Sequence, residues 1–300
     1  MRITIGSRGS NLALIQTEQV KSLLEKRFPQ LKIEIQIIRT LGDKIRDREV
    51  SKIGDKGVFV KEIERTLLDG EIDLAVHSMK DMPGKTPDGL LFSRPPKGED
   101  PRDILVAKKP LTRLEEMEGF LIGTGSVRRR MQLERLVKNV KTKPIRGNIE
   151  IRMGKIREEN LDGVVLAKAG LMRAGYADKI SYTFSPEAMV PSPCQGILAL
   201  QYREDSEVIQ YLQALEDEKT GLRYDAERAF QIRLDADCHS PIGIYSSFSG
   251  ASCKLVACFG DAEKNFLVKR EIEGGIHERV DLAKKLADQL KEAVYEQRNR

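Results

Sequence analysis

The densest group of residues that could bind a ligand is a basic stretch at 126–152. It holds nine Lys or Arg and two acidic residues, a net charge of +7 within a chain of +5. Six of the nine are arginines, and the stretch contains no aromatic residue. The planar fork of arginine matches carboxylates two bonds at a time, whereas nucleic-acid binding favours aromatic stacking. The stretch favours a small polycarboxylate over nucleic acid, with a solvated basic helix as the third interpretation.

Arg128 and Arg129 stand at the predicted start of a helix, directly after Ser126. Cations at that end oppose the helix dipole. Their placement makes sense if an anion binds at the helix N-terminus. Arg146 lies on a second strand-to-helix turn, at the end where α/β folds bind ligands.

Two Gly/Ser-containing segments, 5–10 and 122–126, each lead from a predicted strand into a predicted helix. Such junctions collect free backbone N–H groups and can hold an anion. Neither matches a dinucleotide or P-loop fingerprint. Each alone is an ordinary turn, but their equivalent places favour two lobes that face one anionic ligand.

The run Val-His-Ser-Met-Lys-Asp at 76–81 follows a short buried strand. Lys80 and Asp81 form either a binding cation beside an acid/base carboxylate, or a loop salt bridge and helix cap. His77 is either a general base or a hydrogen-bonded structural group. Residues 40–57 form a polar, glycine-punctuated stretch, which is either a lid over the ligand or a mobile loop.

The four cysteines are too few for a disulfide scaffold. Cys253 and Cys258 fall in a predicted strand at 252–259, on opposite faces, and do not suggest a metal site. Each cysteine is expected to be a small buried hydrophobe, except Cys238, which lies in a loop-like Asp-Ala-Asp-Cys-His-Ser-Pro run. Cys194 receives no role.

Apolar periodicity predicts alternating strands and helices over the first 200 residues, the pattern of a mostly parallel sheet. They include strands at 72–76 and 163–167 and helices at 126–137 and 149–158. In the first helix, which Ser10 is expected to cap, the apolar face is predicted to contain Leu12, Ile15, Gln19 and Leu23. After about residue 219 the pattern becomes that of an α+β module.

Breaks at 94–102 and 191–193 divide the chain. We expect one α/β lobe at 1–96 plus 197–214, with a returning strand at 197–201, a second lobe at 102–190, and the α+β domain at 219–300. No apolar run approaches the ~20 residues of a membrane span, and the N-terminus lacks a signal peptide's apolar centre. These features predict a soluble, cytoplasmic protein.

Short motifs in this sequence, taken together and in order, resemble the hydroxymethylbilane synthase family, also called porphobilinogen deaminase, over essentially the full length. They are Gly-Ser-Arg-Gly-Ser-Asn-Leu-Ala-Leu at 6–14, Lys-Gly-Val-Phe-Val-Lys-Glu at 56–62, Ala-Val-His-Ser-Met-Lys-Asp at 75–81, Glu-Asp-Pro-Arg-Asp at 99–103, Gly-Ser-Val-Arg-Arg at 125–129, Arg-Gly-Asn at 146–148 and Asp-Cys-His-Ser-Pro-Ile-Gly at 237–243.

The resemblance implies a transferase of porphyrin and heme biosynthesis. It would have two lobes like those of periplasmic binding proteins and a smaller C-terminal α+β domain. It would condense four porphobilinogen molecules head to tail into the linear tetrapyrrole hydroxymethylbilane, with release of ammonia. A dipyrromethane cofactor would be attached to Cys238 through a thioether, and no metal would be needed.

The resemblance also implies site residues, with Asp81 as the catalytic carboxylate. Cofactor binding would involve Cys238, Lys80, Asp81, Ser126, Arg128, Arg129 and Arg146. Substrate binding would involve Arg8, Ser10, Arg146, Arg152, Arg173 and Gln195. The lid loop would contribute Asp43, Lys52, Lys56 and Phe59. A monomer that binds neither nucleic acid nor membrane is expected, and the alternative function is a non-catalytic two-lobed binding protein for small carboxylates.

Overall fold

A computed structural model describes residues 2–38, 60–235 and 240–299. The chain divides into two compact units, Met1–Gly98 with Ile197–Tyr224, and Glu99–Gly196 with Asp225–Arg300. The second unit therefore combines the predicted second lobe with most of the predicted C-terminal domain. The three-domain division stays a prediction.

A five-stranded sheet forms the centre of the first unit. Its strands are β1 (Arg2–Arg8), β2 (Lys32–Ile38), β3 (Leu74–Ser78), β4 (Leu90–Phe92) and β10 (Leu198–Arg203). Their order is β2-β1-β3-β10-β4. β1 is parallel to β2 and β3, whereas β10 is antiparallel to β3 and β4. The predicted returning strand is thus confirmed, inserted between strands of the N-terminal segment.

Helices cover both faces of this sheet. They are α1 (Asn11–Arg27), α2 (Lys61–Leu68) and the short α6 (Ile209–Leu212). The predicted apolar face of α1 was wrong, because the helix buries Gln16, Thr17, Val20 and Leu24 and leaves Leu23 exposed. Thr17 faces inward because its hydroxyl donates to Ser7 Oγ at 2.8 Å, a bond that apolar periodicity cannot reveal.

A second five-stranded sheet forms the lobe part of the second unit. Its strands are β5 (Asp103–Ala107), β6 (Leu121–Gly123), β7 (Lys141–Lys143), β8 (Gly163–Ala167) and β9 (Tyr182–Thr183). Their order is β7-β6-β8-β5-β9. The helices are α3 (Val127–Leu136), α4 (Ile149–Glu158) and α5 (Lys168–Arg173).

The two sheets share one topology. In each, three parallel strands are followed by an antiparallel fourth strand and a short edge strand. Both parallel centres arise from strand-helix-strand connections, as the alternating periodicity predicts. The α/β class and the two similar lobes are therefore confirmed.

The C-terminal part of the second unit is an antiparallel sheet packed on helices. It consists of β11 (Gly243–Ser249), β12 (Ser252–Asp261), β13 (Phe266–Gly275), α8 (Arg279–Arg298) and the part of α7 (Glu218–Leu234) from Asp225 onward, since the first unit extends to Tyr224. Cys253 packs in the core beneath the helices, whereas Cys258 packs against Val190 of the lobe part. The opposite faces predicted for these two cysteines are confirmed, as is the α+β character.

Candidate active site

Lys80 and Asp81 lie on a 3-10 turn, Met79–Asp81, that follows β3 directly. The Met79 N–H donates to the carbonyl oxygen of Ile197 at 3.0 Å, which fixes the turn to the residue before β10. Met79 is buried, Lys80 half-buried and Asp81 exposed. The turn therefore holds a carboxylate and an ammonium group at the carboxyl end of a buried strand.

Arg8 and Ser10 lie at the end of the neighbouring strand. Because β1 and β3 are parallel neighbours, their carboxyl ends meet at the same edge of the sheet. Arg8 is the last residue of β1, and both side chains are half-buried. Ser10 occupies the N-cap position of α1, but its side chain makes no capping bond. The expected cap bond was wrong, and the helix does not use this hydroxyl.

In the second unit, Arg128 and Arg129 converge on one buried carboxylate, Asp103 of β5. Arg128 Nη1 donates to Asp103 Oδ2 at 2.7 Å, and Arg129 donates to Oδ1 through Nη2 at 2.8 Å and Nε at 3.1 Å. Asp103 is fully buried, and the arginines are 4% and 6% exposed. The anion expected at the start of this helix is thus also supplied by the protein itself.

The charge of this cluster is set by the two arginines. Burial alone would raise the pKa of Asp103, but Arg128 and Arg129 outweigh it and hold the pKa well below its usual range. Asp103 is therefore ionised at neutral pH. Sequence reasoning missed its role, although two adjacent arginines in a first helical turn are a signal that a counter-charge is needed.

Gln195 and Arg173 support the same region of the second unit. Gln195 is 1% exposed, and its amide donates to Asp103 Oδ1 at 2.9 Å and to the carbonyl oxygen of Pro101 at 2.6 Å. Arg173 Nη2 donates to the carbonyl oxygen of Gly196 at 2.9 Å. Burial lowers the pKa of Arg173, partly offset by Glu99. Both side chains thus contribute to holding the chain segment at 195–196.

Other arginines of the basic stretch have different surroundings. Arg130 and Arg135 contact Asn265, in the turn between β12 and β13. Arg152 Nε donates to the carbonyl oxygen of Gly147 at 2.7 Å. Arg146 is exposed, and no described residue pairs with it. The stretch therefore contributes to packing as well as offering cations to a ligand.

Ser126 begins α3 as predicted, since its hydroxyl accepts from the Arg129 N–H at 3.4 Å. Asn148 caps α4 in the same way at 2.9 Å. Gly125 leaves no room for a side chain, because a Cβ there would lie 2.6 Å from the carbonyl oxygen of Ile145. This close approach sets the course of the chain between β6 and α3.

Several predicted site residues lie outside the described residues, namely Cys238, Asp43, Lys52, Lys56 and Phe59. Within the described ranges, no group of three or more His, Cys, Asp and Glu side chains could hold a metal ion. No described helix is long and apolar enough to cross a membrane.

Comparison with known families decides among the functions that these sites allow. Residues 3–211 match the model for the porphobilinogen deaminase, dipyromethane cofactor binding domain, and residues 222–292 match the porphobilinogen deaminase C-terminal domain. The chain belongs to the porphobilinogen deaminase family. As a member it is a transferase, a hydroxymethylbilane synthase of tetrapyrrole biosynthesis, and it has a dipyrromethane cofactor-binding domain. This sets aside the non-catalytic binding protein.

Curated relatives agree along nearly the whole chain. Porphobilinogen deaminase of Clostridioides difficile is 44% identical over 289 residues, covering 96% of each chain. That of Clostridium novyi is 41% identical over 304 residues and covers 100% of each. That of Alkaliphilus metalliredigens is 42% identical, covering 96% of this chain and 92% of its own.

Two solved structures are more distant. A TRAP periplasmic solute binding protein from Desulfovibrio salexigens has 13% identity and a TM-score of 0.43, with 78% of each chain covered. A probable amino-acid transporter extracellular-binding protein from Bacillus subtilis has 14% identity and a TM-score of 0.42, covering 76% of this chain and 97% of its own. At these TM-scores the two likenesses support no conclusion, so the assignment of two similar lobes is based on the strand orders of the two sheets.

The residues of this chain fit a dipyrromethane, whose two rings each bear two carboxylates and an N–H group. Arg8 and Lys80 in one unit, and Arg146 and Arg152 in the other, are cations suited to carboxylates. Asp81 is an exposed carboxylate suited to accept from pyrrole N–H groups. Among the described residues, the donor set of each unit therefore matches the chemistry of the group.

Proposed function

We propose that the protein catalyses its four condensations with Asp81 as the catalytic carboxylate and with its dipyrromethane attached to the Cys238 thiol. The observation that supports this assignment best is the turn at the end of β3, where buried Met79 fixes an exposed Asp81 beside Lys80. Cys238 is a thiol in a loop-like polar run, which favours covalent use over packing.

Each addition breaks the C–N bond of a porphobilinogen aminomethyl group and releases ammonia. A C–C bond then forms to the free α-carbon of the acceptor pyrrole, which loses a proton. When bound, the dipyrromethane supplies the first acceptor carbon. Asp81 stabilises the azafulvenium cation that remains after ammonia leaves, and it accepts hydrogen bonds from pyrrole N–H groups.

Cations of the chain neutralise the carboxylates of cofactor and substrate. The charged members of the set neutralise these carboxylates, and its serines and glutamine add hydrogen bonds. The set is Arg8, Ser10, Lys80, Ser126, Arg128, Arg129, Arg146, Arg152, Arg173 and Gln195. Asp103 fixes Arg128 and Arg129, so these two act as a preorganised pair. Cofactor and four substrate units present twelve carboxylates, which exceeds what any single pair can neutralise.

The remaining assignments follow from the same function. We assign Asp43, Lys52, Lys56 and Phe59 to contacts with the ligand, and lobe motion accommodates the growing chain. The protein works in the cytoplasm as a monomer on porphobilinogen, without metal or nucleic acid. Size-exclusion chromatography with light scattering tests the monomer.

The Asp81→Asn variant tests the catalytic assignment. We expect the cofactor mass to be kept, because the thiol is unchanged, while turnover falls by about 100-fold or more for loss of the charge at the reacting centre. The control is Asp88→Asn, an exposed aspartate of the same segment, which is expected to retain wild-type turnover. A rate for Asp81→Asn close to that of the control would show that Asp81 is structural.

A further inference from the structure

A row of polar side chains crosses the face of the first sheet that is covered by α2. In the β3–β10 ladder, His77 pairs with Ala199, and Gln201 pairs with Ala75. His77 and Gln201 therefore lie diagonally on one face, and the two alanines leave space between them. His77 is 6% exposed and Gln201 is fully buried, so both polar groups are inside the unit.

This row has an acidic end and a basic end. The amide nitrogen of Gln201 donates to Glu64 Oε1 of α2 at 3.0 Å, and Glu64 is 6% exposed. On the other side, Gly6 of β1 pairs with Ala75. Continuing that parallel register by two residues places Arg8 level with His77 on the same face. We call Arg8, His77, Gln201 and Glu64 the polar row.

The imidazole of His77 is the central member. No described residue forms a well-aligned hydrogen bond with its Nε2, and the same holds for Oε1 of Gln201. Burial lowers the pKa of His77 to about 4, Gln201 offsets part of this shift, and Arg8 lowers the pKa further. The ring is therefore neutral at physiological pH and lies close enough to Arg8 to sense its charge.

We infer that His77 is a positioning residue for substrate recognition, which holds the Arg8 guanidinium in place for a substrate carboxylate, while Gln201, itself bonded to Glu64, orients the ring. The inference rests on the proposed role of Arg8. A neutral imidazole offers an acceptor nitrogen to a guanidinium without adding a second positive charge. A row of buried polar groups serves packing poorly, because each must be desolvated where apolar side chains would fit at lower cost.

The charged groups that face the ring are consistent with this role. Among the described residues, Arg8 from β1 acts on the ring directly, whereas Glu64 from α2 accepts a bond from Gln201 and Lys61 acts on Glu64. Burial raises the pKa of Glu64, with Gln201 and Lys61 offsetting part of the shift. Among the described residues, Arg8 is thus the charged group that acts on the ring itself.

The test is a double-mutant cycle in steady-state kinetics with porphobilinogen, using loaded enzyme verified by intact mass. His77→Leu is expected to raise KM about tenfold, the factor expected when one charge-assisted bond is misplaced. His77→Gln, which keeps a neutral acceptor, is expected to stay within about threefold of wild type. Arg8→Gln raises KM, and adding His77→Leu to it produces no further rise.

Two further variants keep the test decisive. Thr17→Val removes a buried hydrogen bond on the α1 face of the same sheet and is expected to leave KM unchanged. Gln201→Met, of nearly equal length, is expected to raise KM about threefold through the ring that it no longer orients. It provides the answer if His77→Leu does not fold.

An unchanged KM in His77→Leu or Gln201→Met overturns the inference. It is also overturned if the effects of His77→Leu and Arg8→Gln on KM add in the double variant, or if His77→Gln does not restore KM to near the wild-type value. If Arg8→Gln itself has wild-type KM, the proposed role of Arg8 fails, and the inference fails with it. If KM rises in Arg8→Gln but not in His77→Leu, the proposed role of Arg8 stands and only the inference about His77 fails.

Discussion

Replacing Asp103 with asparagine isolates the buried charge cluster of the second unit. Asparagine keeps one oxygen at nearly the same place, so the bonds from Arg129 and Gln195 to Oδ1 have an acceptor. The second oxygen becomes an NH₂ group that faces Arg128 Nη1, now 2.7 Å from Oδ2. Two donors then face each other, and two arginines of at most 7% side-chain exposure lose their shared carboxylate.

The expected loss of folding stability follows from this burial. Removing one partner of a buried ion pair costs about 3–5 kcal/mol, because the remaining charge is left uncompensated. For a unit of this size that loss corresponds to a fall in Tm on the order of 10 °C. Differential scanning calorimetry measures it, with attention to separate transitions because the chain has two units.

Asp100→Asn is the matched control, since it makes the same substitution three residues earlier. Asp100 pairs with Arg102 and Lys168, but its side chain is 25% exposed, so about 1 kcal/mol is expected. The folded-state pKa of Asp103 is depressed. Its contribution to the stability of the fold is therefore present above the unfolded pKa of about 3.9, and it is lost as pH falls through the folded pKa. A loss below about 1 kcal/mol, or equal losses in both variants, would refute the account.

Two other changes test the fold around the site. His77 has a pKa of about 4 against a reference of 6.5. The free energy of unfolding of the wild type should therefore fall by about 3 kcal/mol between pH 6.5 and pH 4, a fall that His77→Leu does not show. Parallel pH profiles of the two proteins in urea unfolding would contradict this. Gly196→Ala should cost more than about 1 kcal/mol, because φ is +88° and a Cβ would lie 2.5 Å from the Glu99 carbonyl oxygen. Gly154 lies within α4, where a Cβ would meet only the end of the Glu158 side chain, at 3.4 Å. Gly154→Ala should therefore be neutral or stabilising by up to about 1 kcal/mol, and equal Tm values for the two glycine variants would be evidence against the strain.

Local periodicity predicted the elements well where one face of each is apolar. The strand of β8 and the helices after Ser126 and Asn148 agree with the structure to within a residue or so, because alternation and caps are local signals. The face of α1 was wrong because Gln16 and Thr17 are buried by bonds to Ser78 and Ser7. Those partners lie on strands that the helix sequence cannot identify.

The candidate site was predictable by residue type but not by pairing. Exposed Asp81 and half-buried Arg8 follow strand ends, as the pattern indicated. The pairing of Asp103 with Arg128 and Arg129 could not be predicted from spacing alone, because Asp103 lies on β5, a different element from the helix that carries the arginines. The predicted strand at 72–76 also ended before His77, whereas β3 extends through Ser78 and so places the ring inside the unit.

The central claim is that a covalent dipyrromethane on Cys238 and the carboxylate of Asp81 together perform the condensation. Intact-mass spectrometry of the purified, active protein tests it most directly. The account predicts a mass above that of the polypeptide by one dipyrromethane, lost in Cys238→Ser and kept in Cys253→Ala, whose thiol is buried in the C-terminal core. An active protein with the mass of the bare polypeptide, or a Cys238→Ser variant that retains the added mass, would contradict it.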